Sequence, residues 1–319
     1  QMWFYDVNAK VNRTLDARNR MFFSLYSGGD HTVFNKLVKG YGMDWGNATA
    51  TIRWNHILND KTNVNTSAVF SNYYYKYKSL SDGLRYVWKS NMQSYQLKSD
   101  WERYQNNLLT LKGGVNLHYF TTMPGEVGKS GKDSNITPSE MSRKSLWDAA
   151  LYAEANYKFL PRFLLNAGVR LSVLHAPAST YYAAKTFVMP EPRAELSFIP
   201  NASHRFSASY TQAAQSIHML TTSSVGIPSD MWMPANALLK PSVMRQLALG
   251  YEYNFPDKEY TLSLEAYMRR TNHVVDYRKN ADIFQNDRIE DEVETGSARG
   301  CGLEFYLSKN KGAVTGWIS

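Results

Sequence analysis

The chain has 319 residues, with 36 Lys and Arg against 28 Asp and Glu for a net charge of +8, and it carries 8 Trp, 22 Tyr and 14 Phe. No window approaches the roughly 18 consecutive apolar residues of a spanning helix, which excludes an α-helical membrane protein, and 43% hydrophobic residues exclude a disordered chain. The single Cys301 rules out an internal disulfide, and basic residues without any run of five or six argue against a nucleic-acid partner.

From the first residues the pattern has a period of two. Residues 3–11 alternate apolar and polar side chains, and so do 107–120, where Leu109, Leu111, Val115, Leu117 and Tyr119 oppose Thr110, Lys112, Asn116 and His118. The alternation recurs at 151–158, 165–173, 194–198, 206–210, 247–253, 260–268 and 303–307. Each run predicts a strand with one apolar and one polar face.

Short polar turns join these runs in pairs, at 14–19, 59–62, 105–106, 160–162, 201–203, 256–258 and 309–312, each rich in Asn, Asp, Pro or Gly. Between the pairs lie longer segments, at 28–44, 79–85, 121–145, 177–189, 213–241 and 279–296. Strict alternation of short and long connections over about fourteen strands predicts an all-β, antiparallel up-and-down transmembrane barrel, with short turns at one end and long loops at the other. A sandwich or propeller has no reason to sort its loops by end. Runs of about 10 to 17 residues suit tilted strands crossing a bilayer. Trp3, Tyr5, Trp45, Tyr73, Tyr74, Tyr75, Trp88, Trp101, Tyr104, Trp147, Tyr157, Phe159, Tyr253, Phe255 and Tyr260 fall near the strand ends and are expected to form interfacial girdles.

In the last third, Pro190-Glu191-Pro192-Arg193-Ala194-Glu195-Leu196-Ser197-Phe198, Ser209-Tyr210-Thr211-Gln212 and Gly226-Ile227-Pro228-Ser229-Asp230-Met231-Trp232-Met233-Pro234 stand in a distinctive order. Leu239-Lys240-Pro241, Gly250-Tyr251, Glu265-Ala266-Tyr267, Gly302-Leu303-Glu304 and Thr315-Gly316-Trp317 follow. Together they make residues 190–319 resemble TonB-dependent outer-membrane receptors of the Bacteroidetes type, while 1–189 agree in strand pattern alone. The run Arg299-Gly300-Cys301-Gly302 departs from that family's pattern, which more often has an aromatic before the final Gly.

The resemblance implies a 22-stranded barrel around an N-terminal plug, with a periplasmic motif that engages the TonB complex. Neither plug nor motif stands in this sequence. Residues 1–319 are therefore expected to be one partial barrel domain, lacking plug and C-terminal strands, and the abrupt ends, without a signal peptide, fit an internal piece. An outer-membrane location in a Gram-negative bacterium follows, with lipid and lipopolysaccharide around the wall. Glu154, Asn156, Arg170, Arg193, Glu195, Glu265 and Arg269 are expected to face the plug from the lumen.

Signatures of an enzyme, cofactor or metal site are missing: the seven His show no HExxH or close pair, and Gly28-Gly29 and Gly113-Gly114 are not phosphate loops. Gly113-Gly114 is expected to mark a bulge or the close approach of a plug backbone. Asp282, Asp287, Glu290, Asp291, Glu292 and Glu294 form an acidic cluster that either binds Ca²⁺ or is simply a solvated loop; its spacing matches no defined calcium loop. In the 213–241 loop, Gln215, His218, Asp230 and Trp232 form the candidate contact set for a small-molecule, glycan or peptide ligand, set against a purely structural role. The expected function is TonB-dependent uptake of a scarce nutrient. The alternatives are a passive porin-like channel and a soluble secreted carbohydrate-binding module.

Overall fold

The computed structural model describes residues 1–35, 40–81, 84–130, 136–221, 231–257, 259–281 and 286–319. The strands are β1 (Met2–Thr14), β2 (Asn19–Asn35), β3 (Gly40–Asn59), β4 (Thr62–Ser81), β5 (Leu84–Asn106), β6 (Leu109–Lys129), β7 (Ser139–Glu140), β8 (Lys144–Leu160) and β9 (Phe163–Ala176). They continue with β10 (Lys185–Phe198), β11 (His204–Gln215), β12 (Ile217–Leu220), β13 (Met231–Pro234), β14 (Ser242–Asn254), β15 (Tyr260–Tyr277), β16 (Val293–Lys309) and β17 (Gly316–Ile318). Fourteen of them run as one antiparallel meander from β1 to β17, β7 adds to β6, and β12 and β13 form a separate hairpin. The expected strand count and up-and-down order are both present.

Side-chain oxygens close the short turns. Asp16 accepts the amide of Arg18 (2.7 Å), Asn59 that of Lys61, Asn106 those of Leu108 and Leu109, Asn201 those of Ser203 and His204, and Asp257 that of Glu259. Asn and Asp at these positions supply a local acceptor where the ladder ends, which fixes each hairpin's register.

At the other end, two of the expected long loops are strand. Residues 28–35 and 40–44 extend β2 and β3 in unbroken register, and β4 and β5 run to Ser81 and from Leu84. The glycines of this stretch interrupt the side-chain alternation without interrupting the ladder. At Gly46 an added Cβ would lie 2.5 Å from the carbonyl oxygen of Gly28, so the bare backbone is what permits the pairing. Short and long connections therefore alternate strictly only from β6 onward.

Cross-strand register sorts the side chains onto two faces. Leu151 lies opposite Val115 and Leu171, Leu196 opposite Leu165 and Ala208, and Ala266 opposite Leu249 and Leu303. This face is apolar yet bare, with Leu151 62%, Leu249 66% and Leu303 78% exposed. So large an uncovered apolar surface requires a nonaqueous neighbour.

Aromatic rings border this face at both ends. At the short-turn end Phe159, Phe163, Phe198, Phe206 and Tyr251 follow one another with centroids 4.8–6.3 Å apart, and Tyr253, Phe255 and Tyr260 continue the line. Toward the loop end Phe70, Tyr95, Tyr119 and Trp147 form a second row across β4, β5, β6 and β8. Trp147 and Phe159 stand twelve residues apart on β8, about 40 Å of strand, which at a tilt of about 40° is about 30 Å, a bilayer core. Not every expected girdle residue belongs to a belt. Trp45, Tyr73, Tyr75 and Trp88 stand on the opposite, polar face by register, and Tyr75 is buried there.

Candidate functional site

Among the described residues of the 213–241 loop, Ile217–Leu220 and Met231–Pro234 pair as a hairpin. In the β12–β13 hairpin His218 pairs with Met233 and Leu220 with Met231, all four buried, while Met219 and Trp232 pair on the other side, half-buried or exposed. The buried side joins Met141, Leu239 and Ile289 in one apolar cluster, with Trp88, Val275, Tyr277 and Val293 packed against it. The hairpin touches β15 on one side and β6 and β8 on the other. Along the sheet β8 and β15 are separated by β9, β10, β11 and β14, so the hairpin crosses a chord of the curved wall on its polar, concave side.

A buried polar lock holds this loop core to the wall. The ammonium of Lys144, at the start of β8, lies 2.7 Å from Oε1 of Glu290, and both side chains are almost fully buried. Glu290 sits in the short helix η1 (Ile289–Glu292), and the Asn236 side-chain amide donates to the same oxygen at 2.9 Å. Asn236 Oδ1 in turn accepts the amides of Leu238 and Leu239. Nearby, the Ser142 hydroxyl donates to Asp287 at 2.6 Å, and the Ser142 amide and Tyr181 hydroxyl also reach that carboxylate. Burial alone would raise the Asp287 carboxyl; these three donors outweigh it and hold it below its ordinary value. Burial, with Glu290 beside it, pushes the Tyr182 phenol up.

Four of the six acidic residues around the β15–β16 loop have cationic or hydroxyl partners, and Glu294 is exposed on β16. Glu292 takes both Nε and Nη2 of Arg278, Asp291 pairs with Arg288, and Glu290 and Asp287 are held as above. Among the described residues no group of three His, Cys, Asp or Glu is arranged to hold a metal ion. Of the acidic positions, Asp282 lies outside the described residues.

The candidate ligand set does not converge. Gln215 ends β11 and its side chain donates to the Ile217 carbonyl at 2.7 Å. His218 faces the loop core, its Nε2 3.1 Å from the Lys240 carbonyl, and burial lowers its pKa. Trp232 is on the opposite side of the hairpin beside the exposed Met219. Asp230 lies outside the described residues. Of the described set, Trp232 alone presents an apolar ring away from the core.

The seven candidate lumen residues do share a face. By register Glu154, Asn156, Arg170, Arg193, Glu195, Glu265 and Arg269 all stand opposite the apolar surface. Arg170 reaches Glu191 (3.6 Å) and Asp148, and Glu195 is bound by Arg205 (2.8 Å) and Ser197. Glu154, Arg193, Glu265 and Arg269 have no ion-pair partner among the described residues.

Sequence patterning missed the contacts of Lys144 with Glu290 and of Tyr152 with Asp100 because they join residues over 50 apart. On the polar face Tyr152 reaches across β6 to Asp100, passing over Gly114, where an added Cβ would strike its hydroxyl and ring. Gly113-Gly114 carries no bulge in either pairing; the glycine leaves room for a tyrosine of the wall itself.

A sheet apolar without, polar within and bordered by two aromatic belts is the wall of a transmembrane β-barrel. The chain belongs to the family described as TonB dependent receptor-like, beta-barrel, whose model matches residues 4–317. Its members are outer-membrane proteins of Gram-negative bacteria, and the match extends to the first 189 residues. Among solved structures the fold is similar to the ferric-catecholate import receptor Fiu from K12 E. coli, at 12% identity and TM-score 0.69, covering 98% of this chain and 56% of that one. It is likewise similar to the ferric yersiniabactin uptake receptor FyuA from Yersinia pestis, at 11% identity and TM-score 0.72, covering 98% and 50%. The copper transporter OprC gives 12% identity and TM-score 0.71, covering 98% and 51%. At such identity the likeness is one of fold, and the chain spans about half the length of these proteins. Comparison with curated proteins gives no match.

Proposed function

We propose that this chain forms part of the wall and ligand-capturing mouth of a receptor that imports a scarce nutrient across the outer membrane with energy delivered through TonB. The observation that carries the reading is the loop core, an ordered body at the mouth that packs against β6, β8 and β15. The unpaired Glu154, Arg193, Glu265 and Arg269, with Asn156, are the lumen groups available to a plug. Trp232 and Met219 are the ligand contacts of choice, because an amphipathic ring beside a thioether suits the apolar part of a small chelate, peptide or glycan. Asp230 and Gln215 stay secondary candidates.

The test is uptake by cells carrying the full-length receptor, screened with iron chelates, short peptides and oligosaccharides, with and without an intact proton gradient. Import that stops when the gradient collapses, and capture that weakens in Trp232→Ala while the barrel still inserts, supports the reading. Uptake indifferent to the gradient would establish a passive channel instead.

A further inference from the structure

Three arginines form a row on the apolar outer face. Arg245 of β14 lies directly opposite Arg270 of β15, which lies opposite Arg299 of β16, and all three are exposed. Their register partners two residues further toward the short turns are Leu247, Met268 and Cys301, so the row belongs to the membrane-facing surface and not to the lumen. Like charges set directly opposite one another on adjacent strands repel. Arg245 donates to Gln212 (2.8 Å) and Arg270 to Asn272 (3.1 Å), both neutral acceptors, and none of the three has a carboxylate partner among the described residues.

Height along the wall places the row at a boundary. Tyr260, in the lower aromatic belt, and Arg270 are ten residues apart on β15, about 33 Å of strand, or about 25 Å at a tilt of about 40°. That is about 5 Å short of the belt-to-belt height on β8, a gap that arginine side chains bridge by extending toward the headgroups, so the guanidiniums reach the boundary at the loop end.

Directly below them the surface is hollow. A groove of about 680 Å³ lined by the arginines, Tyr210, Leu247, Met268 and Cys301 runs into a second of about 610 Å³ that shares Tyr210, Leu247 and Met268. Small side chains at Ala194, Ala208 and Ala266, between Leu196 and Leu249, make the second hollow.

We propose that Arg245, Arg270 and Arg299 bind the phosphates of an outer-leaflet glycolipid whose acyl chains lie in the grooves beneath. Three cations spaced by the strand separation of about 4.8 Å span about 10 Å, which suits a headgroup with two phosphates better than one. Guanidinium forks suit phosphate because they donate two parallel hydrogen bonds. The phosphates cancel the repulsion along the row, so the bound lipid also stabilises the three-strand segment.

The experiment purifies the full-length receptor from outer membranes in mild detergent and measures co-purifying phosphorylated glycolipid per barrel by mass spectrometry. Lipid affinity is expected to fall about fivefold when one arginine becomes Gln and on the order of a hundredfold in R245Q/R270Q/R299Q. The triple lysine variant, which keeps the charge, should retain most of the lipid. Heat-modifiable gel migration reports that each barrel is folded; should the triple Gln variant not fold, the single variants carry the reading. In nanodiscs, the wild type should enrich bisphosphorylated lipid over neutral phosphatidylcholine. Equal lipid retention by wild type and folded Gln variants overturns the proposal, and so does displacement of the lipid by millimolar inorganic phosphate, which would reveal a free-anion site. No nutrient or TonB enters this measurement, so its failure and that of the import reading are separable.

Discussion

Gly114 is a position where a single methyl group decides a contact between three strands. An alanine there would meet the Ser99 carbonyl and the Tyr152 ring, and Tyr152 would have to abandon Asp100. Gly114→Ala should destabilise the barrel by about 1–3 kcal/mol, and Tyr152→Phe, which loses the hydroxyl bond but keeps the ring, by about 1 kcal/mol. Urea midpoints followed by gel migration check the order; an unaffected Gly114→Ala barrel would refute the packing account. His218 sets a pH dependence of definite sign. Burial depresses its pKa in the fold below the unfolded value, so its contribution is complete above about pH 6.5 and is lost as the pH falls toward the depressed value. Protection of the amides at residues 217–220 and 231–234, taken relative to the intrinsic exchange rate at each pH, should therefore fall as the pH drops below about 6.5. In His218→Gln that acid dependence should disappear.

At the level of elements, the loop core behaves as one body because its apolar cluster and its polar lock draw on the same three connections, β6 to β8, β11 to β14 and β15 to β16. Lys144 and Glu290 are both removed from water, so deleting either leaves a buried charge without its partner, at a cost of about 3–5 kcal/mol. Lys144→Met is expected to expose residues 287–293 to limited proteolysis while the barrel below stays intact. The double variant Lys144→Met with Glu290→Leu should recover much of the protection, because an apolar pair fills the same space without a charge. If the single variant is as resistant as wild type, the lock contributes nothing.

These elements also mark how far the sequence could be read. Strands from β6 onward were legible because Leu165, Val169 and Leu171 alternate without a break and because Asn106, Asn201 and Asp257 announce their turns. The upper halves of β2 and β3 were not, since Gly28, Gly29, Gly42 and Gly46 carry no side chain to show a face, and in β4 the run Tyr73-Tyr74-Tyr75 puts the same ring on both faces. That Glu154, Arg193 and Glu265 lie on the face opposite the apolar one was readable from parity alone. The separation of His218 from Trp232 was not, because it depends on a hairpin register set by contacts with β6, β8 and β15.

Across the whole molecule the two faces obey opposite rules, and neighbouring residues test them. Leu249→Arg places a cation on the bare apolar face between the belts and should cost about 2–4 kcal/mol, whereas Ala248→Arg, one residue away on the polar face, should cost far less. Insertion and refolding yields in lipid vesicles measure both. Equal effects would mean that the apolar face does not contact lipid.

The meander itself carries a rule for how such walls change length. Each strand from β1 to β6 is bonded to the next in sequence, and the order continues through β17 with the hairpins added to the side. A two-strand unit such as β9 with β10 therefore begins and ends at the same rim. Its duplication or loss would leave every other loop on its own side of the membrane and every other side chain on its own face. Loss of one strand would turn all that follow upside down, sending capture loops to the periplasm. Barrels built this way are expected to gain and shed wall in pairs, and their circumference is quantised by the hairpin.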